Sequence, residues 1–417
     1  MDRYEHSVLL DESKCSGCTT CLHHCPTEAI RIINGKASIN SNRCIDCGEC
    51  IRQCPHHAKK AEAGLLENMQ RFKWKIALPA PTLYAQFENM DDVDYVLNGL
   101  KKIGFDDVFE VSKAAEYVSA YTRLYIKTEG VRLPLISSAC PVVVRLINLV
   151  FPSLKDNIMK LLPPVEVAAM MAKERAKKAH PELKEEEIGV CFISPCPGKV
   201  SYVNNYRDKL NLHIDEVVSI KDVYFLLINA MNRDEKLESL LDSGMMGVGW
   251  ASSGGESTAI LNEGYLAADG IENVIHVLNQ IENGNIPQVR FIELNACPGG
   301  CVGGVLTVQN PFIAKARLQS LCRYLPISMN RLEEGEKYIP PEVFFEKLAE
   351  YEPVSRLSEN MAESMRMMSD IQRLKGELPG IDCGACGAPT CRAHAEDLVR
   401  AGKTDLSCPI LVARAES

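Results

Sequence analysis

The sequence predicts an α/β protein carrying a small cysteine-rich domain at each end, and three observations carry that prediction. Over residues 70–352, short apolar runs alternate with amphipathic stretches, the pattern of strands and helices wound into largely parallel sheets. The 18 cysteines among 417 residues are grouped: eight from Cys15 to Cys54, four from Cys383 to Cys408, and six between. Finally, 46% of the residues are hydrophobic, enough for more than one buried core. The expected organisation is an α+β domain over 1–68, an α/β domain over 70–352, a connecting helix over 353–378 and a small helical domain over 379–417.

Composition narrows the function classes. The net charge of −9 and the lack of a basic tract give no reason to expect nucleic acid. No uninterrupted apolar run of about 18 residues predicts a membrane span. The N-terminus has no basic, apolar and cleavage-site pattern, and the chain is too long for a disulfide-built miniprotein, so a cytoplasmic location is expected. Thiols in such a chain are either packed in the core or spent on metal.

The N-terminal eight cysteines form a repeat: Cys15, Cys18, Cys21 and Cys25-Pro26, then Cys44, Cys47, Cys50 and Cys54-Pro55. Each is a C-x-x-C-x-x-C-x-x-x-C-P run, the bacterial ferredoxin spacing for 4Fe–4S clusters. Two-residue gaps let one loop wrap three thiolates around a cubane of thiophilic iron. The fourth cysteine of each run serves the other cluster, so Cys54 is expected to complete the first site and Cys25 the second. Zinc knuckles or a disulfide framework are the rival readings. Between the runs, residues 29–32 and 36–39 flank Asn34-Gly35, a strong hairpin signal. His23, His24, His56 and His57 find every ligand position already taken and are expected to be solvated or supporting groups.

At the far end, Cys383, Cys386, Cys391 and Cys408-Pro409 form a second block, with Gly384, Gly387 and Pro389 supplying turns and a short helix over 392–401. A third 4Fe–4S cluster is the reading that the glycine-rich run favours, with zinc as the rival. The stretch over 353–375 is helical and rich in methionine (Met361, Met365, Met367, Met368), a pattern of core or docking surface. Leu378-Pro379-Gly380 stops it.

In the middle, residues 75–78, 133–137, 188–193, 245–251 and 289–294 read as buried strands, and 91–103, 114–127, 165–179 and 222–231 as helices. In parallel sheets a ligand sits beyond the carboxyl ends of the strands. Four cysteines obey that rule: Cys140 and Cys196 each follow a strand, and Cys297 and Cys301 follow a third. Gly299, Gly300, Gly303 and Gly304 keep the backbone thin beside Cys301, so that a bulky group can approach. Cys191, inside a strand, and Cys322, inside a helix over 316–324, read as core residues.

These three segments resemble the signature of the FeFe hydrogenases, which has T-S-C-C-P, M-P-C-x-x-K-x-x-E and E-x-M-A-C-x-G-G-C-x-x-G-G-G. Here they run Ser137-Ser138-Ala139-Cys140-Pro141, then Ser194-Pro195-Cys196 through Lys199 to Tyr202, then Glu293 through Asn295, Cys297 and Cys301 to Val305. Order and spacing agree over more than 160 residues, and the N-terminal cluster block matches as well.

The resemblance implies a two-lobed catalytic domain and an H-cluster, a 4Fe–4S cubane on Cys140, Cys196, Cys297 and Cys301 bridged through Cys301 to a two-iron unit. That unit carries CO, cyanide and a dithiolate, and dedicated maturases insert it. Lys199 matches the lysine that donates to a cyanide, a charge-assisted bond of roughly double neutral strength. Pro79-Ala80 matches the loop whose backbone meets the other cyanide, and Gly299 and Gly300 flank the bridging cysteine. H2 and protons would be the substrates, with electrons passing through three accessory clusters to a small redox partner such as ferredoxin or a signalling protein.

Departures from the signature carry as much information. Ala139 stands where the family has its proton-donating cysteine, Ser194 and Asn295 replace methionines, Tyr202 replaces a glutamate of the proton relay, and Val305 replaces the last glycine. Losing a general acid costs about 10²–10⁴ in rate, and new polar groups beside a cluster shift its potential and proton affinity. Slow turnover in the manner of the family's sensory branch is therefore expected. Two alternatives are a bidirectional hydrogenase whose protons travel through Glu256 or Tyr202, and a non-catalytic iron–sulfur assembly protein without the two-iron unit. Whether a signalling domain follows Ser417 stays open, and a homodimer through the Met-rich helix is compatible with the sequence.

Overall fold

The computed structural model describes residues 4–88, 90–231, 236–261, 264–332, 337–345, 357–403 and 406–415. The chain forms two compact units, one from Met1–Ala61 together with Tyr351–Ser417, the other from Glu62–Glu350.

In the first unit, β1 (Val8–Leu10) pairs antiparallel with a strand from the other end of the cluster repeat, and β2 (Ile30–Ile33) pairs with β3 (Lys36–Ile39). The partner of β1 is β4 (Lys59–Ala61). Asn34 and Gly35 both take positive φ, 51° and 74°, as a two-residue hairpin turn requires. Two short helices, Thr20–His23 and Glu49–Arg52, repeat the same arrangement. Leu22, Ile30 and Ala37 pack with the cysteines to form a small core.

The C-terminal part of this unit holds helix Met361–Glu377, capped by the Asn360 side chain, whose Oδ1 accepts from Ala362 N at 2.9 Å. Ile371, Leu374 and Leu378 bury against Ala395 and Leu398 of helix Cys391–Arg400. Met361, Met365 and Met368 stay exposed. The expected helix thus begins at Met361; its first residues, 353–356, lie outside the described residues. The end segments, which read in sequence as separate domains, pack together: Ile32 N donates to Gly387 O at 2.8 Å, and Arg43 pairs with Glu396 at 2.6 Å.

The second unit is α/β. Its strands are β5 (Trp74–Pro79), β6 (Asp107–Val108), β7 (Leu135–Ile136), β8 (Ile188–Ser194), β9 (Glu216–Ser219), β10 (Tyr265–Asp269) and β11 (Phe291–Asn295). They make a four-stranded parallel sheet in the order β6-β5-β8-β9 and a three-stranded parallel sheet in the order β10-β11-β7. All seven residues of β8 are buried, as the centre of a sheet covered on both faces demands. Among the described residues, no helix is long and apolar enough to cross a membrane.

One expected strand is a helix. Residues 245–251 fold as helix Met245–Gly249, whose Gly247 packs so closely on helix Val111–Tyr125 that a Cβ would lie 2.1 Å from the Ser112 carbonyl oxygen. A short apolar run fits a buried strand and a buried helix equally well, and here packing chooses the helix. The strands β9 and β10 escaped notice because one is a four-residue stretch and the other half-exposed.

Candidate metal centre

The carboxyl ends of β7, β8 and β11 deliver Cys140, Cys196, Cys297 and Cys301 to the wall of one cavity of about 890 Å³. Cys140 and Cys196 each occupy the N-cap of a helix whose first residue is proline, Pro141–Val150 and Pro197–Tyr206. Proline at that position loses no needed donor, and a residue at the N-cap stands at the positive end of its helix, which suits a thiolate. Burial pushes the Cys301 thiol up to about 12, against the pull of Lys199, and raises Cys196 too. Such thiols stay neutral until iron replaces their protons.

Lys199 lines the cavity, and its ammonium donates to the Ala139 carbonyl oxygen at 3.1 Å. Ala139 is also in the wall, as are Ala80, Asn295 and Gly300. Ser194 sits behind it, fully buried, its hydroxyl accepting from Cys196 N at 3.1 Å and so fixing the turn into that ligand position. Asn295 Nδ2 donates to Glu293 Oε1 at 2.8 Å. The Tyr202 hydroxyl is buried without a hydrogen-bond partner. Pro79 closes β5, and the Ala80 amide donates to Ile193 O at 3.3 Å.

Gly300 and Gly304 line the cavity, and the glycines beside Cys301 have a second role as well. A Cβ on Gly300 would lie 2.4 Å from Ser253 N, one on Gly303 2.0 Å from Pro298 O, and one on Gly304 2.1 Å from Pro195 O. Their bareness lets protein backbone segments meet, and the ligand loop is locked by those contacts. Gly299, at φ 77°, instead donates its amide to Asp269 Oδ1 at 2.9 Å.

Two buried carboxylic acids complete the wall. Glu256 Oε2 accepts from the Ser137 hydroxyl at 2.6 Å, while its Oε1 is buried without a partner. Ser137 in turn accepts from the Ala139 amide at 3.1 Å. Glu293 accepts from Gly254 N and Ser257 N, both at 2.9 Å, besides Asn295. Burial, and then the Glu293 charge, hold Glu256 well above the usual carboxylate range. Three donors stabilise the anion of Glu293 and one that of Glu256, so Glu256 is the member that keeps a proton. Glu293 had escaped notice as a site residue, although a glutamate inside an apolar strand run was a signal for it.

Three further pockets are lined by four cysteines each. Cys15, Cys18, Cys21 and Cys54 line one of about 320 Å³, Cys25, Cys44, Cys47 and Cys50 another of about 340 Å³, and Cys383, Cys386, Cys391 and Cys408 a third of about 310 Å³. The crossing of Cys54 and Cys25 between the two runs is the arrangement that the spacing predicts. Among the described residues, no group of three or more His, Cys, Asp or Glu side chains is arranged to hold a single metal ion, so the four-cysteine pockets suit a cubane better than zinc. His23, His24, His56 and His57 are exposed. Cys191 is buried within β8, and Cys322 packs against the core of the second unit.

Three stretches of the chain match known protein families. Residues 73–266 and 264–305 match the iron-only hydrogenase large subunit, C-terminal domain, residues 7–55 a 4Fe-4S dicluster domain, and residues 378–410 an Fe-S cluster family. The periplasmic Fe hydrogenase large subunit of Nitratidesulfovibrio vulgaris is 27% identical over 368 residues, covering 72% of this chain and 86% of its own. Iron hydrogenase 1 of Clostridium pasteurianum is 23% identical over 375 residues, 73% of this chain but 65% of its own length. A solved FeFe hydrogenase variant from Chlamydomonas reinhardtii aligns with a TM-score of 0.48 at 15% identity, over 61% of this chain and 87% of that one. With more than half its length matched by the family, and with four cysteines gathered at its strand ends, the chain belongs to the iron-only, or FeFe, hydrogenase large subunits.

Proposed function

We propose that this protein is a slow, H2-responsive FeFe hydrogenase, interconverting H2 with two protons and two electrons and passing redox state through its accessory clusters to a partner protein. The observation that carries this reading is Ala139 in the wall of the four-thiol cavity, where a proton donor beside the ligand is absent. The four thiols, the fixed ammonium and the largely apolar wall fit an H-cluster. Cys140, Cys196, Cys297 and Cys301 would hold its cubane, with Cys301 bridging to the two-iron unit. When bound, that group supplies the site where H2 is cleaved and formed.

The remaining chemistry falls to the chain. Lys199 holds a positive charge in the cavity, oriented by the Ala139 carbonyl. Pro81, Val165 and Phe192 supply apolar wall around it. Glu256 holds a proton and presents it from Oε1, and Ser137 fixes its other oxygen. That geometry also favours the second reading, a bidirectional hydrogenase whose protons travel through Glu256. In either case the partner is a small redox or signalling protein, and maturases load the two-iron unit.

Infrared spectroscopy of protein matured with the two-iron unit tests the proposal, with CO and cyanide bands as the expected result. Their absence would leave the iron–sulfur assembly reading in place. Film voltammetry then separates the other two: weak catalytic current near neutral pH supports the sensory reading, and high current the bidirectional one.

A further inference from the structure

The C-terminal cysteine loop is seated on the N-terminal hairpin by contacts that specify one pose. Gly387 takes φ 84°, its carbonyl accepts from Ile32 N at 2.8 Å, and a Cβ on it would lie 2.3 Å from the Ile32 carbonyl oxygen. Gly384 takes φ 72°, and a Cβ there would lie 2.8 Å from His23 Nε2. Around this contact, Arg31 clamps Asp397 through Nε and a terminal nitrogen, at 2.5 and 3.2 Å. Arg43 and Arg400 both donate to Glu396, at 2.6 and 2.9 Å. Two-point guanidinium–carboxylate pairs fix orientation as well as adding energy.

Connectivity gives this pose a meaning. Cys386 lines the C-terminal pocket and precedes Gly387, while Ile32 lines the pocket of Cys15, Cys18, Cys21 and Cys54. One hydrogen bond therefore joins the residue that follows a cysteine of one site to a residue in the wall of the other. We propose that the C-terminal site and the Cys15/Cys18/Cys21/Cys54 site form a directly coupled redox pair, with Cys386–Gly387···Ile32 as the bridge. One electron passes from the reduced cluster of the pair to the oxidised one, with no bond broken and no proton moved. Cys383 and Cys18 are both exposed, so each site of the pair has one cysteine within reach of an outside donor or acceptor.

This inference rests on the clusters assigned above but not on the two-iron unit, so the test uses full-length protein reconstituted with iron and sulfide and never matured. Reduced with dithionite, the protein is expected to show splitting and fast relaxation of the C-terminal cluster's electron paramagnetic resonance signal. R31E is expected to lose that interaction while iron content stays at the wild-type value, and R31E/D397R to regain it. C54S is expected to abolish it, with iron falling by one cluster, and C25S to leave it. Coupling lost in C25S but kept in C54S would overturn the pairing, as would a wild-type spectrum equal to the sum of isolated cluster signals. Iron analysis finding no third cluster would instead overturn the reading of the C-terminal site, an outcome independent of any infrared result on matured protein.

Discussion

The Lys199 ammonium and the Ala139 carbonyl are hydrogen-bonded at 3.1 Å across the cavity wall, so the cation is anchored at the residue whose side chain lacks a proton to give. Because the anchor is a main-chain oxygen, it survives changes to the Ala139 side chain. Substituting A139C is therefore expected to leave the Lys199 position intact and add a thiol to the wall. H2 evolution by the matured enzyme is expected to rise by about 10² or more. An unchanged rate would place the block further from the cavity.

Glu256 is the proton holder in this reading. E256Q keeps an oxygen for the Ser137 hydroxyl and removes the exchangeable carboxyl proton. Turnover is expected to fall by about 10²-fold, while the CO and cyanide bands of the matured protein stay present. Loss of those bands would show that Glu256 supports assembly of the site.

Glu166 predicts a pH dependence of stability. Burial raises it from 4.5 to about 7, opposed by the His213 amide and the charges of Lys199 and Lys173 and reinforced by Asp215. An acid held above its unfolded value binds its proton more tightly in the fold. Its ionisation therefore destabilises the fold progressively as pH rises from about 4.5 to 7, then levels off. The stability of wild type relative to E166Q, measured by denaturant unfolding of the cluster-free protein, is expected to fall over that window by on the order of 1–3 kcal/mol. A difference that rises with pH would contradict this.

Cys191 and Cys322 are packing residues. Burial raises both thiols, Cys322 to about 11. C191A and C322A are expected to retain full iron and sulfide on analysis and to lose about 1 kcal/mol each in stability, as small core truncations do. Loss of iron from either variant would reassign that cysteine.

Much of the site was legible because it follows two strong rules. Parallel strands bring their carboxyl ends to one edge, which gathers Cys140, Cys196, Cys297 and Cys301 from far apart, and ferredoxin spacing crosses Cys25 and Cys54 between sites. What stayed hidden depends on packing rather than pattern. The helix Met245–Gly249 is chosen by the close fit of Gly247 on Ser112, the glycines near Cys301 by backbone approach, and Glu293 by amides that only the folded turn at residues 254–257 supplies. The seating of Gly387 on Ile32 uses one backbone bond and surface charges, neither of which leaves a periodic trace.

That seating also sets an order of assembly. Ile32 leaves the ribosome well before Gly387, and at roughly 5–20 residues per second the delay is on the order of 20–70 s. Throughout it, the hairpin edge and the Leu22–His23 side of the first cluster site are uncovered. Iron and sulfide thus have a timed opening through which to reach the N-terminal thiols, and arrival of the loop that carries Gly384 and Gly387 closes it.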